Sequence, residues 1–135
     1  MNRSLTYLLD TDTCIYLLNG NAQVKARVEE EGVETLAVAI PTVGELYFGA
    51  YNSIRVEANL TRIQAFFSPP GPVVLSIDDT AAHHFGRVKA ALRRMGKPIG
   101  DIDLLIAGVA VSHKLKIVTN TTEHFERIPE ITIEN

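Results

Sequence analysis

The stretch YLLDTDTCIYLL, residues 7–18, decides the fold. A first apolar run ends at Asp10, a polar Thr-Asp-Thr segment follows, and a second apolar run begins. This pattern predicts a buried strand over residues 5–9, a tight turn, and a helix to Leu18 capped by Thr11 or Asp12. Ligands of open α/β sheets bind outside the carboxyl ends of the strands, which is where Asp10 falls. A carboxylate buried there needs a partner, most simply a cation.

The rest of the chain alternates between short apolar runs and helical patterns. Alternation of this kind predicts a three-layer α/β/α domain with a mainly parallel sheet of four or five strands, spanning residues 1–135 as one domain. Thr42 to Glu45 has the spacing of a capping box, and Pro41 is predicted to close the strand before it. The further predicted strands are 35–40, 73–77, 116–119 and, at an edge, 131–133. The further predicted helices are 22–31, 42–51, 55–67, 78–95, 101–113 and a turn or short helix at 121–125.

The composition excludes several classes of protein. With 46% hydrophobic and 21% charged residues in 135, the chain is typical of a folded domain rather than a disordered one. Cys14 is the only cysteine, which excludes a disulfide framework and a cysteine-based zinc site, and we expect it in the core. No signal peptide or membrane-spanning run is evident, so we expect a cytoplasmic protein without membrane contact. The net charge of −3 limits any nucleic-acid surface to a local patch.

Acidic side chains recur where predicted strands meet helices. Asp10 follows the first strand, Glu45 follows the second, and Asp103 lies in the first turn of the helix before the fourth. Because the carboxyl ends of parallel strands share one edge of a sheet, we expect these three to converge. The supporting polar residues expected near them are Thr11, Asp12, Asp101, Thr119 and Asn120.

Converging carboxylates favour a bound cation, because they otherwise repel one another and raise each other's pKa. Oxygen ligands without nitrogen or sulfur suit Mg²⁺ or Mn²⁺, and such a site hydrolyses phosphate esters with water. The alternative for Asp12, Glu45 and Asp101 is helix capping, which needs no metal.

Other polar residues have two interpretations. The basic residues form either a solvated helix face or a phosphate-contacting surface. The four histidines show no metal-ligand spacing and are interpreted as surface or packing residues, and the small residues Gly44, Gly49 and Ala50 allow close packing, including with another subunit. The basic residues are Arg87, Lys89, Arg93, Arg94 and Lys97, with Lys114 and Lys116 added to them.

Four segments follow one another in a set order: LLDTDTCIYLL (8–18), TVGELYFGA (42–50), PIGDIDLLIAG (98–108) and VTNTTEHFERIP (118–129). Together they resemble the motifs of PIN-domain nucleases, especially the VapC toxins of prokaryotic toxin–antitoxin pairs. The resemblance covers nearly the whole chain. It implies a Mg²⁺- or Mn²⁺-dependent endoribonuclease that acts on RNA, forms homodimers, and is blocked by a small antitoxin protein.

The resemblance also implies roles for individual residues. It assigns metal binding to Asp10 and Asp103 and a catalytic acidic role to Glu45. The family often has asparagine where this chain has Asp12, and a fourth acid where this chain has Thr121. Asn120 is polar but neutral, so either a second metal site is weak or Asp12 or Asp101 supplies its charge.

Two other functions fit parts of the sequence. The segment DTDT, residues 10–13, fits the D-x-D-x-T motif of haloacid-dehalogenase-like phosphatases, with Asp10 as nucleophile and Asp12 as general acid. The phosphatase mechanism gives Glu45 no role. It also needs a lysine, for which the sequence offers no clear candidate. The second is a PIN-like module that holds RNA or a protein without cleaving it. Metal-dependent turnover distinguishes the nuclease from this module.

Overall fold

Five parallel strands form one sheet in the computed structural model, which describes residues 4–135. Their order is β3-β2-β1-β4-β5, so β1 lies at the centre, and β5 lies at an edge as the sequence predicted. In the register of the sheet, Leu8 lies opposite Ala37 on one side and Ile117 on the other. The strands are β1 (Tyr7–Leu9), β2 (Leu36–Ala39), β3 (Val73–Leu75), β4 (Lys116–Val118) and β5 (Thr132–Glu134).

Helices cover both faces of the sheet. Successive strand residues point to opposite faces, and both sets are apolar, so each face needs a covering layer. Leu8 and Ile117 belong to a core with α5 and α6, whereas Leu9 and Val38 belong to a core with α1, α3 and α4. The three-layer prediction is therefore confirmed. The helices are α1 (Thr11–Leu18), α2 (Ala22–Glu31), α3 (Ile40–Tyr51), α4 (Val56–Phe67), α5 (Asp79–Arg94), α6 (Asp101–His113) and α7 (Thr122–Phe125).

The layer of α5 and α6 is tightly packed. The sequence predicted that the apolar helix α6 is buried between the sheet and another element, and that element is α5. The two helices run antiparallel, since Asp78 before α5 contacts Ser112 near the end of α6. Their backbones approach so closely that a Cβ on Gly108 would lie 2.5 Å from the carbonyl oxygen of Ala81.

Two predicted helix starts are wrong. The cap of α1 is Asp10, not Thr11 or Asp12, because its carboxylate accepts the Thr13 N–H at 2.9 Å. Helix α3 begins at Ile40, so Pro41 lies in its first turn and the predicted capping box is absent. Proline is tolerated there because the N–H groups of a first turn have no helical partner.

The strands are also one to two residues shorter than predicted at several ends. The first, for example, begins at Tyr7 instead of Leu5, and the third ends at Leu75 instead of Ile77. Cys14 is fully buried, as predicted. Within residues 4–135, no helix is long and apolar enough to cross a membrane.

Candidate active site

Asp10 is the fixed point of the site. It follows the central strand, its side chain is only 3% exposed, and its own N–H donates to the carbonyl of Val118 on β4 at 3.1 Å. One carboxylate oxygen accepts the Thr13 N–H, and the Thr13 hydroxyl donates to the same Val118 carbonyl at 3.1 Å. Strand and helix therefore hold Asp10 at the edge where ligands of parallel sheets bind.

Asp103 reaches the same edge from the first turn of α6. Burial raises the pKa of its carboxyl group, and the nearby charges of Asp10 and Asp12 raise it further. The hydrogen bond with His124, whose Nδ1 lies 3.0 Å from Oδ2 of Asp103, acts in the opposite direction. Asp10 follows the central strand, and Asp103 lies in the first turn of α6, close enough for the charges of Asp10 and Asp12 to act on it.

Glu45 lies on a third element, the helix α3. Because α3 begins at Ile40, Glu45 lies in the second turn of the helix rather than the first, where it is exposed. It lines a surface groove of about 170 Å³ between α1, α3 and α4, together with Ile15 and Arg62. The meeting of Glu45 with Asp10 and Asp103 therefore stays a prediction.

The supporting residues divide into two groups. The Thr11 hydroxyl lies 3.3 Å from that of Thr42 and joins the starts of α1 and α3, and the buried Thr119 hydroxyl accepts the Thr121 N–H at 3.0 Å. These two threonines support the backbone of the site. The exposed group consists of Asp12, Asp101 and Asn120.

Two residues of the site were missed in the sequence. His124, interpreted as a surface or packing residue, bonds to Asp103, and the fully buried Thr42 contacts Thr11. No periodicity connects a histidine in α7 with an acid in α6, so only the folded structure reveals that contact. Thr42 gave a weak signal, because it follows the second strand among apolar residues.

The basic residues are distributed differently from the sequence interpretation. Lys89 near the end of α5 forms an ion pair of 2.9 Å with Asp101, which brings this end of α5 close to the acidic site. Exposed Arg93 and Arg94 follow on the same helix. Lys116 instead begins β4 and therefore lies at the opposite edge of the sheet, so it does not extend this basic surface.

The donor set fits a hard divalent cation. Among residues 4–135 no three His, Cys, Asp or Glu side chains are grouped closely enough to form a complete protein cage for a metal. Mg²⁺ does not require one, because it usually keeps several waters and takes only one or two carboxylates. Asp10 and Asp103 could supply these, and a cation would relieve the burial and repulsion that raise the pKa of Asp103.

This fold and this site define a class: a parallel α/β domain that holds carboxylates at the carboxyl ends of its strands for metal-dependent hydrolysis of phosphate esters. The model of the PIN domain matches residues 7–131. The chain belongs to the PIN-domain family, within its VapC-type ribonucleases. Nucleases of this kind depend in general on a metal ion.

Named relatives resemble the chain over nearly their whole length. It is 37% identical to the tRNA(fMet)-specific endonuclease VapC of Salmonella typhimurium, covering 97% of this chain and 98% of that one. It is 39% identical to the protein of the same name from Shigella flexneri, with the same coverage. A crystal structure of DNA-bound VapBC from Salmonella typhimurium matches with a TM-score of 0.88 and 38% identity, covering 96% of this chain and 97% of that chain. These matches favour the nuclease over the phosphatase interpretation.

Proposed function

We propose that this chain is a Mg²⁺-dependent endoribonuclease that cleaves tRNA and acts as the toxin of a toxin–antitoxin pair. The observation that carries the proposal is the pair of carboxylates Asp10 and Asp103 at the carboxyl edge of the sheet, in a chain of the VapC-type family. The names of the Salmonella and Shigella relatives support tRNA as the substrate class. A tRNA substrate implies that the protein works in the cytoplasm.

The residues of the chain prepare the site before any substrate binds. Asp10 is held by the Thr13 N–H, and Asp103 is oriented by His124, so neither acid must be reorganised when a cation and a phosphate arrive. Mg²⁺, when bound, supplies the charge that polarises the phosphoryl group and lowers the pKa of water. Mn²⁺ shares the preference for oxygen ligands and is a possible substitute.

Glu45 has a separate part in this proposal. Its exposed carboxylate lies on α3, in the groove between α1 and α4, where RNA can reach it. We assign to it the positioning of water or substrate on the α3 side of the site, and Asp12, Asp101 and Asn120 remain supporting groups. The basic residues Arg93 and Arg94 at the end of α5 suit the phosphate backbone of RNA.

Protein partners fit the outer face of α3. Tyr47, Phe48 and Tyr51 are exposed there, and Ile54 follows them fully exposed, which is unusual for large apolar side chains so close together. We assign this face to protein contacts, with a second copy of the chain and with a cognate antitoxin. The crystal structure of the Salmonella VapBC complex supports the antitoxin.

The test is cleavage of a mixed tRNA pool by the purified chain with Mg²⁺, with EDTA, and by an Asp10→Asn variant. We expect discrete cleavage that EDTA abolishes and that Asp10→Asn lowers by at least about a thousandfold, the effect of losing several kcal/mol of transition-state stabilisation. Asp79→Asn, an exposed acid in the first turn of α5, is the matched control and should cleave normally.

Each alternative function gives its own result in this assay. Full activity of Asp10→Asn contradicts the assignment of the site. Hydrolysis of a small phosphate ester without cleavage of RNA indicates the phosphatase, and binding of tRNA without metal-dependent cleavage indicates the non-cleaving module.

A further inference from the structure

A cavity of about 420 Å³ lies between the helices α1 and α2 and the sheet. It exists because α2 covers the sheet loosely: all ten of its residues are described and none is buried, and Val24 and Val28 reach inward only part of the way. The volume falls within the roughly 300–1,000 Å³ of small-molecule sites.

The cavity combines an apolar floor with a stacking ring and amide groups. Leu9, Leu36 and Val118 of the sheet form the floor. Tyr16 of α1 lines the cavity while it remains 38% exposed, and the amide side chain of Gln23 lines it from α2. An accessible aromatic ring beside hydrogen-bonding amides is the combination that proteins use to hold an unstacked base of RNA.

The outer wall carries a fixed group of charges. Arg27 lies 3.5 Å from both Glu31 and Glu134, and Tyr7 hydrogen-bonds to Glu31. The two carboxylates disfavour a phosphate inside the cavity, whereas they can accept hydrogen bonds from the amino group of a base. The wall therefore selects the uncharged part of a nucleotide.

The cavity also adjoins the acidic site. Thr13, Thr119 and Asn120 line one end of it. The N–H of Thr13 bonds to Asp10 at 2.9 Å. A base seated in the cavity therefore belongs to a nucleotide close to the phosphate that reaches Asp10.

We propose that this cavity binds one unstacked base of the RNA substrate next to the scissile phosphate, with Tyr16 as the stacking residue and with a preference for bases that carry an amino group. The inference rests on the proposed ribonuclease function and adds a specificity site to it. Tyr16 then contributes to the choice of cleavage site without taking part in the chemistry.

The test measures the affinity for fluorescently labelled bacterial tRNA by anisotropy, in an Asp10→Asn background that prevents cleavage. Because stacking of one base contributes roughly 1–3 kcal/mol, Tyr16→Ala should weaken binding at least about fivefold. Tyr16→Phe keeps the ring and should bind as the parent does. His113→Ala removes an exposed ring at the far end of α6 and is the control. Melting temperatures check that each variant is folded.

The outcomes separate this inference from the proposed function. A Tyr16→Ala variant that binds tRNA as tightly as the parent overturns the base site while the nuclease assignment remains. Equal losses in Tyr16→Ala and Tyr16→Phe overturn stacking as the cause. A chain that neither binds nor cleaves tRNA overturns both proposals. Competition by the four 5′-mononucleotides tests the base preference: UMP should compete least, and equal competition by all four overturns the role of the carboxylates.

Discussion

Two helices on opposite faces of this sheet differ in how completely they pack against it: α6, which with α5 forms a closed layer, and α2, which covers an open part of the other layer. In α6, six of the residues are buried, and Gly108 lets its backbone approach α5 closely; in α2, none of the residues is buried. The closed layer carries Asp103, whereas α2 leaves a cavity that is lined by Thr13, the residue whose N–H bonds to Asp10. A helix that packs deeply stabilises the fold, whereas a helix that packs shallowly leaves room for a ligand on the same sheet.

The largest effect should come from truncating matched apolar residues in the two layers. Ile106→Ala removes a fully buried side chain from α6 and should lower the free energy of unfolding by about 2–5 kcal/mol. Val28→Ala, in the half-buried face of α2, should lower it by less than about 1 kcal/mol, because little apolar surface is lost there. Urea denaturation measures both. Similar losses of free energy of unfolding in the two variants would contradict the difference in packing between α6 and α2.

A smaller effect should follow from adding one methyl group to a helical glycine. Gly108→Ala forces a Cβ against the Ala81 carbonyl oxygen and should destabilise the fold by about 1–3 kcal/mol. Gly86→Ala in α5 is the control: a Cβ there meets nothing within 4 Å, so the substitution should stabilise by about 0.5–1 kcal/mol. Thermal melting of the pair gives the sign of each change. A stable Gly108→Ala variant would mean that α5 and α6 can separate without cost.

The smallest effect on stability should come from Asp103, the acid that α6 brings to the site. Because the fold raises the pKa of Asp103, its ionised form lowers stability above that pKa. Without metal, Asp103→Asn should therefore melt at a temperature equal to or above that of the parent at neutral pH, and the difference should vanish as the pH falls through the folded pKa towards about 3.9. Glu29→Gln, which removes an exposed carboxylate from α2, is the control for the loss of one negative charge.

Added Mg²⁺ should reverse that order. A cation that binds only the folded chain stabilises the parent, and it should stabilise Asp103→Asn less. If Asp103→Asn melts well below the metal-free parent at neutral pH, the carboxylate of Asp103 stabilises the fold even without a cation, which contradicts this prediction.

The architecture could be predicted from the sequence because hydrophobic periodicity is a local signal, which shows the type of each element and the face that it buries. Alternating strands and helices were enough to predict the parallel sheet, the position of Asp10 after the first strand and that of Asp103 in the first turn of α6. The start of α3 was missed because Pro41 is compatible both with the end of a strand and with a first helical turn. That error of two residues at the helix start puts Glu45 in the second turn of α3 instead of the first.

Other features depend on the packing of distant elements and carry no local signal. His124 reaches Asp103 only because α7 and α6 are neighbours in space. The cavity likewise could not be predicted from the sequence. The residues of α2 have an ordinary helical pattern, and the cavity exists only because α2 packs loosely against the sheet. Residues at interfaces between elements are therefore the ones that sequence reasoning finds last.

The position of β1 has a consequence for how the protein folds during its synthesis. Asp10 is synthesised early, yet its N–H bonds to Val118 of β4, and Thr119 in turn bonds to Glu134 of β5. The frame that holds Asp10 therefore needs strands from both ends of the sequence, and parallel strands so far apart pair slowly. A nascent chain still attached to the ribosome cannot assemble the acidic site until almost all of it has been translated, so the machinery that makes the chain is not exposed to a half-finished nuclease.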